Sequence, residues 1–327
     1  MSDQLLAVRD LRKSFRVGKS RLVALDGINL DLARGETLGL VGESGCGKST
    51  LARTLMMLER PDEGSVAFDG IDPFSLRGKD LLKFRRRVQM VFQDPYASLN
   101  SRMTAGDIIA EPWRSHKTLY PNRKDRDMRV RGLLDLVGLG AKAADKYPQE
   151  FSGGQRQRIG IARALALNPD VIICDEPVSA LDLSVQAQVL NLLNDLQQQL
   201  QISYIFISHD LSVVRHVADR VTVMYLGRMV ESGATEDVYQ NPSHPYTAAL
   251  MSAAPKLDAA QRTDRILLSG EVPSPLNPPS GCRFRTRCSH ATEICSTQAP
   301  VALPDPSTAG HIAECHHRLQ PAMPASA

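Results

Sequence analysis

The sequence contains Gly42-Glu43-Ser44-Gly45-Cys46-Gly47-Lys48-Ser49-Thr50, a glycine-rich stretch that decides the fold. The short apolar run Thr37–Val41 precedes it and predicts a strand, and the residues that follow predict a helix. A glycine-rich turn between a strand and a helix is the context that a phosphate-binding P-loop requires. Every residue of the quoted stretch is therefore a candidate phosphate-binding residue.

The chemistry of a P-loop explains this composition. Glycines allow the backbone to wrap closely, so that several N–H groups point at phosphate oxygens. Lys48 adds a positive charge, Ser49 offers a hydroxyl group to Mg²⁺, and the helix N-terminus adds a partial positive charge. The alternative is a glycine-rich turn with a surface lysine, and the flanking strand and helix disfavour it.

Two adjacent carboxylates end a second apolar run, Val171-Ile-Ile-Cys-Asp175-Glu176. Asp175 suits the coordination shell of Mg²⁺, and Glu176 suits a general base that polarises an attacking water molecule. A strand that ends in acidic residues is common and is a weak signal by itself. Because a P-loop precedes it, the pair predicts phosphoryl transfer to water.

A second small, glycine-rich turn precedes the helical segment Arg156–Leu167. Its residues are Phe151, Ser152, Gly153, Gly154 and Gln155. Such a turn before a helix is another potential phosphate nest. Either one chain binds two anions, or two chains share each nucleotide, and the spacing alone does not decide between these arrangements.

The hydrophobic pattern predicts an α/β fold with a largely parallel sheet, because short apolar runs alternate with amphipathic segments. Apolar residues between Val185 and Leu200 recur at three- and four-residue steps, which predicts a helix with one apolar face. Predicted strands are Thr37–Val41, Val88–Phe92, Val171–Cys174, Ile202–Ser208 and Val221–Leu226.

Length and composition bound the remaining possibilities. The chain has 327 residues, enough for two domains, and its net charge of +3 gives no general argument for a nucleic-acid surface. It contains neither a signal peptide nor an apolar run long enough to span a bilayer, so we expect a cytosolic location. Four of the six cysteines and nine of the 20 prolines follow Pro255, which predicts domains at 1–255 and 256–327.

Taken together, the motifs resemble those of ABC-type ATPases over roughly residues 5 to 255. The match comprises the P-loop, Gln93 in Val-Phe-Gln-Asp-Pro, Ser152-Gly-Gly-Gln155, Asp175-Glu176, Ser179-Ala-Leu-Asp182 and Ile207-Ser-His209-Asp210, which occur in the order of that family. One departure is Phe151, since the family signature usually begins with Leu. This apolar exchange should leave the phosphate contacts unaffected.

The resemblance implies roles for single residues. In that family two cassettes close head to tail over two ATP molecules, which selects the shared-nucleotide arrangement. By resemblance, Phe15 stacks on adenine, Gln93 senses Mg²⁺ and water, His209 contacts the γ-phosphate and Asp182 lies at the dimer seam. The residues expected around Mg²⁺ are Ser49, Gln93 and Asp175. Singly, each has an ordinary alternative: Phe15 in a core, Gln93 in a solvated loop, and His209 as a helix cap or core histidine.

A narrower resemblance is to the ATPases of dipeptide and oligopeptide importers. It rests on Asn241-Pro-Ser-His-Pro-Tyr-Thr-Ala-Ala-Leu250 and on the stretch from Gly270 to Cys282. Gly45-Cys46-Gly47 and Glu176-Pro-Val-Ser-Ala-Leu-Asp182 are similar to the F-type subunit, which pairs with a D-type subunit, although a homodimer stays open. The resemblance implies a peripheral location at the cytoplasmic face of the inner membrane, two transmembrane permease subunits and an extracytoplasmic peptide-binding protein.

Other functions remain as alternatives. Similar importers also carry nickel complexes or glutathione-like compounds. A soluble ABC ATPase acting on nucleic acid or the ribosome is the rival from another class. A single cassette, the lack of a long coiled coil between P-loop and signature, and the lack of CxxC pairs count against that rival.

The late cysteines form a separate candidate site, made of Cys282, Cys288, Cys295 and Cys315. Four thiolates can hold zinc or an iron–sulfur cluster, and the wide spacings lack the short knuckle of structural zinc sites. The family resemblance implies a four-iron four-sulfur (4Fe-4S) cluster, expected to be structural, in a small irregular C-terminal domain. His290, His311, His316 or His317 is an alternative ligand, and four unligated thiols are another alternative.

Three further expectations concern single side chains. Arg283, Arg285 and Arg287 alternate, so we expect a solvated basic strip or charge compensation for anionic thiolates. Cys46 lies in the predicted phosphate nest, where backbone N–H groups should favour its thiolate. Cys174 is predicted to be a small core residue.

Overall fold

The computed structural model describes residues 4–253, 266–305, 308 and 310–319. Its strands are β1 (Gln4–Val17), β2 (Ser20–Ala33), β3 (Thr37–Val41), β4 (Glu63–Phe68), β5 (Val88–Val91), β6 (Val171–Asp175), β7 (Ser203–Ser208), β8 (Arg220–Tyr225), β9 (Arg228–Ala234), β10 (Ala302–Pro304) and β11 (Ile312–Glu314).

The α-helices are short to medium in length. They are α1 (Lys48–Leu55), α2 (Gly78–Arg87), α3 (Pro95–Ser98), α4 (Ala105–Ala110), α5 (Arg123–Leu136), α6 (Gly153–Leu165), α7 (Leu183–Leu200), α8 (Leu211–Val217), α9 (Thr235–Gln240), α10 (Pro245–Ala253) and α11 (Ile294–Thr297). Short 3-10 helices cover Pro73–Ser75, Glu111–Arg114, Ala141–Asp145 and Pro148–Glu150. Within the described segments, no helix has the length and apolar character needed to cross a membrane.

Contacts within the chain divide it into two compact units. The central unit comprises Met1–Leu5, Ala33–Glu36 and Ile71–Ile207, and the terminal unit comprises Leu6–Leu32, Thr37–Gly70 and Ser208–Ala327. The predicted boundary near Pro255 lies outside the described residues, so the division into 1–255 and 256–327 stays a prediction.

The terminal unit contains a small antiparallel sheet in the order β2-β1-β4, with Leu6 opposite Phe68. Its other strands follow the order β10-β11-β9-β8-β3, in which β3 and β8 are parallel and the remaining pairs are antiparallel. All five residues of β3 are buried. A Cβ at Gly39 would lie 2.4 Å from Val214 Cγ1, so glycine lets α8 pack closely on β3.

The central unit contains a parallel arrangement in the order β7-β6-β5. Helix α7 buries Val189, Leu193 and Leu196, as the apolar periodicity predicts. It also buries Leu190, which lies outside the predicted face, whereas Leu200 is exposed. Trp113, 1% exposed, donates its indole N–H to Ala166 O at 2.9 Å at the end of α6. The predicted strands agree with the observed ones to within one residue at each end, and the α/β interpretation is confirmed.

Residues 266–293 form turns and bends, followed by α11 and the short strands β10 and β11. β11 extends the sheet of the terminal unit by pairing with β9, with Ile312 opposite Ser232. This late segment is irregular, as its proline content predicts, and it is anchored to the unit that also carries Gly42–Thr50.

Candidate nucleotide-binding site

The P-loop follows β3 and leads into α1, as the sequence predicts. Gly42 has φ 152°, and a Cβ there would lie 2.2 Å from Met224 O. Gly47 has φ 112°, and its Cβ would lie 2.4 Å from Ala24 O. Because both obstacles are backbone atoms, only glycine fits at the two ends of the loop.

Lys48 is held by the loop itself. Its side chain is buried, with 7% of the residue exposed, and Nζ donates to Gly42 O at 2.6 Å and to Glu43 O at 3.0 Å. Ser44, Gly45 and Ser49 are exposed on the loop. The loop therefore combines an anchored positive charge with an open side that an anion can approach.

Cys46 does not behave as the sequence predicts. The residue is 3% exposed, and its Sγ lies 3.7 Å from Lys48 Nζ. Burial raises the pKa of the thiol, and the positive charge of Lys48 does not offset this effect. The expectation of a stabilised thiolate is wrong, because burial acts more strongly on Sγ than the nearby N–H groups do.

Two further candidates of the terminal unit are accessible. Phe15 is half-buried, with Lys13 Nζ 5.3 Å from its ring centroid, so it is not a core aromatic. His209 is exposed at the end of β7. The cap of α8 is the next residue, Asp210, whose carboxylate accepts from Ser212 N at 2.9 Å and Val213 N at 3.4 Å.

In the central unit, the structure brings Gln93 and Glu176 together. Gln93 Nε2 donates to Glu176 Oε2 at 2.6 Å. Glu176 has φ 47°, an uncommon value for a residue other than glycine, and its N–H donates to Ile207 O at 2.9 Å. Glu176, which follows Asp175 at the end of β6, is thus fixed through both its backbone and its side chain.

The second glycine-rich turn starts α6 through a capping box. Ser152 Oγ accepts from Gln155 N at 3.3 Å, and Ser152 N donates to Gln155 Oε1 at 3.0 Å. A Cβ at Gly154 would lie 2.2 Å from Val185 Cγ1, so glycine lets α6 approach α7. Ser152, Gln155 and Asp182 are exposed, whereas Phe151 is buried.

The four late thiols are free and influence one another. Burial, followed by the charges of Cys282, Cys288 and Cys295, raises the pKa of Cys315 to about 11. Cys282 N–H donates to Cys295 O at 2.8 Å. Even so, no three His, Cys, Asp or Glu side chains of the described residues are arranged to hold a metal ion.

Three of the four candidate histidines have other partners. His311 Nε2 lies 2.6 Å from Glu231 Oε1, and His316 Nε2 lies 3.0 Å from Gln298 O. His317 Nε2 lies 2.7 Å from Thr292 Oγ1. His290 is exposed. These contacts favour the cysteines over these three histidines as candidate ligands.

The predicted basic strip is wrong. Arg287 pairs with Glu43, and Arg283 pairs with Asp26, so two of the three arginines form partly buried ion pairs with carboxylates. Arg285 donates instead to Ser280 O at 2.9 Å. Sequence analysis missed these pairs because the partners are more than 200 residues apart, and no local pattern joins them.

Comparisons with known proteins identify the family. A family profile described as ABC transporter matches residues 25–179, and one described as oligopeptide/dipeptide transporter, C-terminal region, matches residues 230–295. The chain is 54% identical over 299 residues to a putative oligopeptide transport ATP-binding protein, YkfD, of Bacillus subtilis, covering 90% of this chain and 91% of the relative.

Two other relatives match nearly end to end. The oligopeptide transport ATP-binding protein AppF of Bacillus subtilis is 51% identical, covering 96% of this chain and 97% of AppF. The dipeptide transport ATP-binding protein DppF of Haemophilus influenzae is 50% identical, covering 96% of each chain. The similarity therefore includes the late cysteine-containing segment as well as the P-loop region.

Among solved structures, the ATP-binding cassette MJ0796, in a dimeric post-hydrolysis state bound to ADP and Pi, matches with a TM-score of 0.64 and 30% identity. The match covers 71% of this chain and 99% of that one. Another is cbiO1 of Clostridium perfringens, part of the ABC transporter complex cbiONQ, with a TM-score of 0.64 and 30% identity. It covers 73% of this chain and 91% of cbiO1.

Proposed function

The chain belongs to the family of ATP-binding proteins of oligopeptide and dipeptide ABC transporters, and on this premise we propose that it hydrolyses ATP to drive uptake of dipeptides or short peptides. The observation that carries the proposal is 50–51% identity to AppF and DppF across 96% of this chain. The match to the C-terminal region profile favours peptide import over a soluble ABC ATPase acting on nucleic acid or the ribosome.

The residues of the terminal unit would bind the nucleotide. Backbone N–H groups between Gly42 and Thr50 would donate to phosphate oxygens, and Lys48 would add its charge. Phe15, which is half-buried, would stack on adenine. His209, exposed after β7, would contact the γ-phosphate.

The residues of the central unit would supply the chemistry. Glu176 would accept a proton from the attacking water, and its hydrogen bond to Gln93 would break or shift when water enters. By the family resemblance, Ser49, Gln93 and Asp175 would offer hydroxyl, amide and carboxylate oxygens, which are donors that suit Mg²⁺. When bound, Mg²⁺ neutralises charge on the β- and γ-phosphates.

A second cassette would complete each site. Ser152, Gly153, Gly154, Gln155 and Asp182 would face the nucleotide bound to the partner chain. The exposed side chains of Ser152, Gln155 and Asp182 support this role. We propose a D-type ATPase subunit as that partner, with a second copy of this chain as the alternative that the experiment must distinguish.

The remaining partners follow from the family. Two permease subunits would form the pathway through the inner membrane, and an extracytoplasmic binding protein would deliver peptide to them. The chain would lie at the cytoplasmic face as a peripheral subunit, and the loop at Gln93 would pass closure of the cassettes to the permease. Nickel complexes and glutathione-like compounds are the competing cargoes.

We also propose that Cys282, Cys288, Cys295 and Cys315 bind a 4Fe-4S cluster. Four thiols are a suitable donor set, and within this segment Cys282 N–H donates to Cys295 O at 2.8 Å. Anaerobically purified protein should contain iron and inorganic sulfide, and zinc in their place would contradict the proposal.

Reconstitution tests the transport function. The chain is purified from membranes with its partners, placed in proteoliposomes and supplied with binding protein and labelled peptides. We expect peptide uptake that requires ATP, and none with a complex carrying Glu176→Gln. Isolation without permease subunits, or uptake of a nickel complex but no peptide, would contradict the proposed function.

A further inference from the structure

The C-terminal segment contacts the P-loop through Arg287, which the sequence analysis assigned to a basic strip and not to the nucleotide site. Arg287 Nη1 donates to Glu43 Oε2 at 2.7 Å, and Nη2 donates to Glu43 Oε1 at 3.0 Å. The side chain of Arg287 is 8% exposed and that of Glu43 is 27% exposed. This is a bidentate, largely buried ion pair, the geometry in which arginine binds a carboxylate most strongly.

Glu43 is held at three points in all. Besides the ion pair, its backbone N–H donates to Tyr246 Oη at 3.0 Å, and its carbonyl oxygen accepts from Lys48 Nζ at 3.0 Å. The conformation of Glu43 therefore affects both the course of the loop and the position of the Lys48 charge.

Three aromatic side chains pack against one another beside the ion pair. The ring centroids of Tyr225 and Tyr246 lie 4.7 Å apart, and that of Phe284 lies 5.3 Å from each. The guanidinium carbon of Arg287 lies 5.9 Å from the Tyr225 centroid, within cation–π range. Because Arg287 is itself buried beside these rings, its guanidinium has little freedom to move away from Glu43.

The same segment also supports the other end of the loop. Arg283 Nη1 donates to Leu226 O, and Arg283 Nη2 donates to Asp26 at 2.5 Å. The next residue of that turn, Gly227, donates its N–H to Cys46 O at 2.8 Å. Residues 283–287 thus reach both the Glu43 end and the Cys46 end of the P-loop.

We infer that Arg287 is a positioning residue for ATP binding, which acts by neutralising and orienting Glu43. A carboxylate within the phosphate nest repels the phosphates of ATP, and Arg287 cancels that charge while it fixes the loop. Without Arg287, Glu43 would be a partly buried, uncompensated anion beside the nucleotide. This inference rests on the proposed ATPase function.

Arg285 provides a matched control. It belongs to the same segment and carries the same charge, but it donates to Ser280 rather than to a P-loop residue. A general effect of charge or of a disturbed segment would appear in both Arg285→Met and Arg287→Met. An effect through Glu43 would appear only in the latter. Methionine keeps an aliphatic side chain over the Tyr225 ring.

The experiment measures ATP affinity, together with KM and kcat, on the full-length chain. We expect Arg287→Met to raise Kd and KM about ten-fold with kcat nearly unchanged, the size expected for one charged hydrogen-bonded contact. Arg285→Met should match wild type, and Arg287→Lys should recover part of the loss. Equal ATP affinity in Arg285→Met and Arg287→Met would overturn the inference.

A double variant separates charge from packing. Adding Glu43→Gln to Arg287→Met removes the uncompensated anion, so we expect most of the lost affinity to return. Affinity that stays low in the double variant would overturn the charge-neutralising role. If Arg287→Met does not fold, Arg287→Gln, which removes the charge but keeps a polar side chain, provides the same comparison alone and with Glu43→Gln. Failure of the wild-type chain to bind ATP would instead contradict the proposed function.

Discussion

The two glycine-rich turns of this chain are held in different ways. The P-loop is fixed by residues far away in sequence, since Tyr246, Gly227 and Arg287 all contact its backbone or side chains. The turn at Ser152 is capped locally, through the reciprocal bonds between Ser152 and Gln155, and its Gly154 packs against Val185 of α7.

This difference indicates which function each turn suits. A nest fixed from outside is preorganised and loses little entropy when phosphate binds, which suits the main nucleotide site. The second turn instead exposes Ser152 and Gln155 at the start of α6. This exposure is what the proposed role requires, in which the turn faces the nucleotide bound by a partner cassette.

The largest expected effect is on ATP turnover and leaves both glycine-rich turns unaltered. Glu176→Gln should reduce ATP turnover by roughly 10²–10⁴, the usual contribution of a general base, while ATP affinity is retained because neither turn is altered. Stable ATP-bound dimers should therefore accumulate. The measurements are steady-state hydrolysis and dimer formation by light scattering.

Glu63→Gln is the control for this substitution. Its side chain is 72% exposed, and its ion-pair contact within the described residues is a long one of 3.6 Å with Arg12, so its loss should change turnover little. Near wild-type hydrolysis in the Glu176→Gln protein would remove Glu176 from the base role. In that case no general base would be assigned for the nucleotide that the two turns are proposed to bind.

A pair of glycine substitutions tests the two modes of support directly. At Gly42 the obstacle to a Cβ is the backbone oxygen of Met224, whereas at Gly154 it is the side chain of Val185. We expect Gly42→Ala and Gly154→Ala each to destabilise the protein by about 1–3 kcal/mol through overpacking. Adding Val185→Ala should recover part of the loss at Gly154.

Side-chain truncation should not rescue Gly42→Ala, because its φ of 152° and its shortest obstacle, Met224 O at 2.2 Å, both belong to the backbone, although Cys46 Sγ also lies 2.9 Å from the added Cβ. Chemical denaturation and ATP binding would be measured for all variants. Gly154→Ala should bind ATP normally before dimerisation, whereas Gly42→Ala should not. Equal loss of ATP binding in the two variants would contradict the distinction between the turns.

Much of this arrangement could be predicted from local sequence. The P-loop, the strand that ends at Asp175 and the helix from Leu183 to Leu200 depend on turn glycines and on hydrophobic periodicity, which neighbouring residues encode. The contact between Gln93 and Glu176 was not predicted, although both residues were recognised. Their separate positions carry no information about the distance between their side chains.

The remaining features depend on tertiary packing. Arg287 and Glu43 are separated by 244 residues, and only the folded terminal unit brings them together. Cys46 was misjudged for a similar reason. Its sequence context shows the helix N-terminus that would favour a thiolate, but it does not show the burial that raises its pKa.

The smallest expected effect tests how the supporting segment is attached. Glu314 lies on β11, and burial raises its pKa to about 7 despite Arg228 and Arg283, with Asp26 adding to the rise. A folded-state pKa above the unfolded value gives stability that is present below the unfolded pKa and is lost as pH rises through the folded pKa. The attachment of β11 should therefore weaken as pH rises from about 5 to 8, by about 1–3 kcal/mol.

Hydrogen exchange of residues 310–319 measures this change, and Glu314→Gln, which cannot ionise, should remove most of it. On the inference that the C-terminal segment supports the P-loop, ATP affinity should fall modestly over the same range, whereas exchange at the start of α6 should stay constant. Exchange that increases equally at β11 and at Ser152–Gln155, after correction for the intrinsic rate, would show that the two turns share one support.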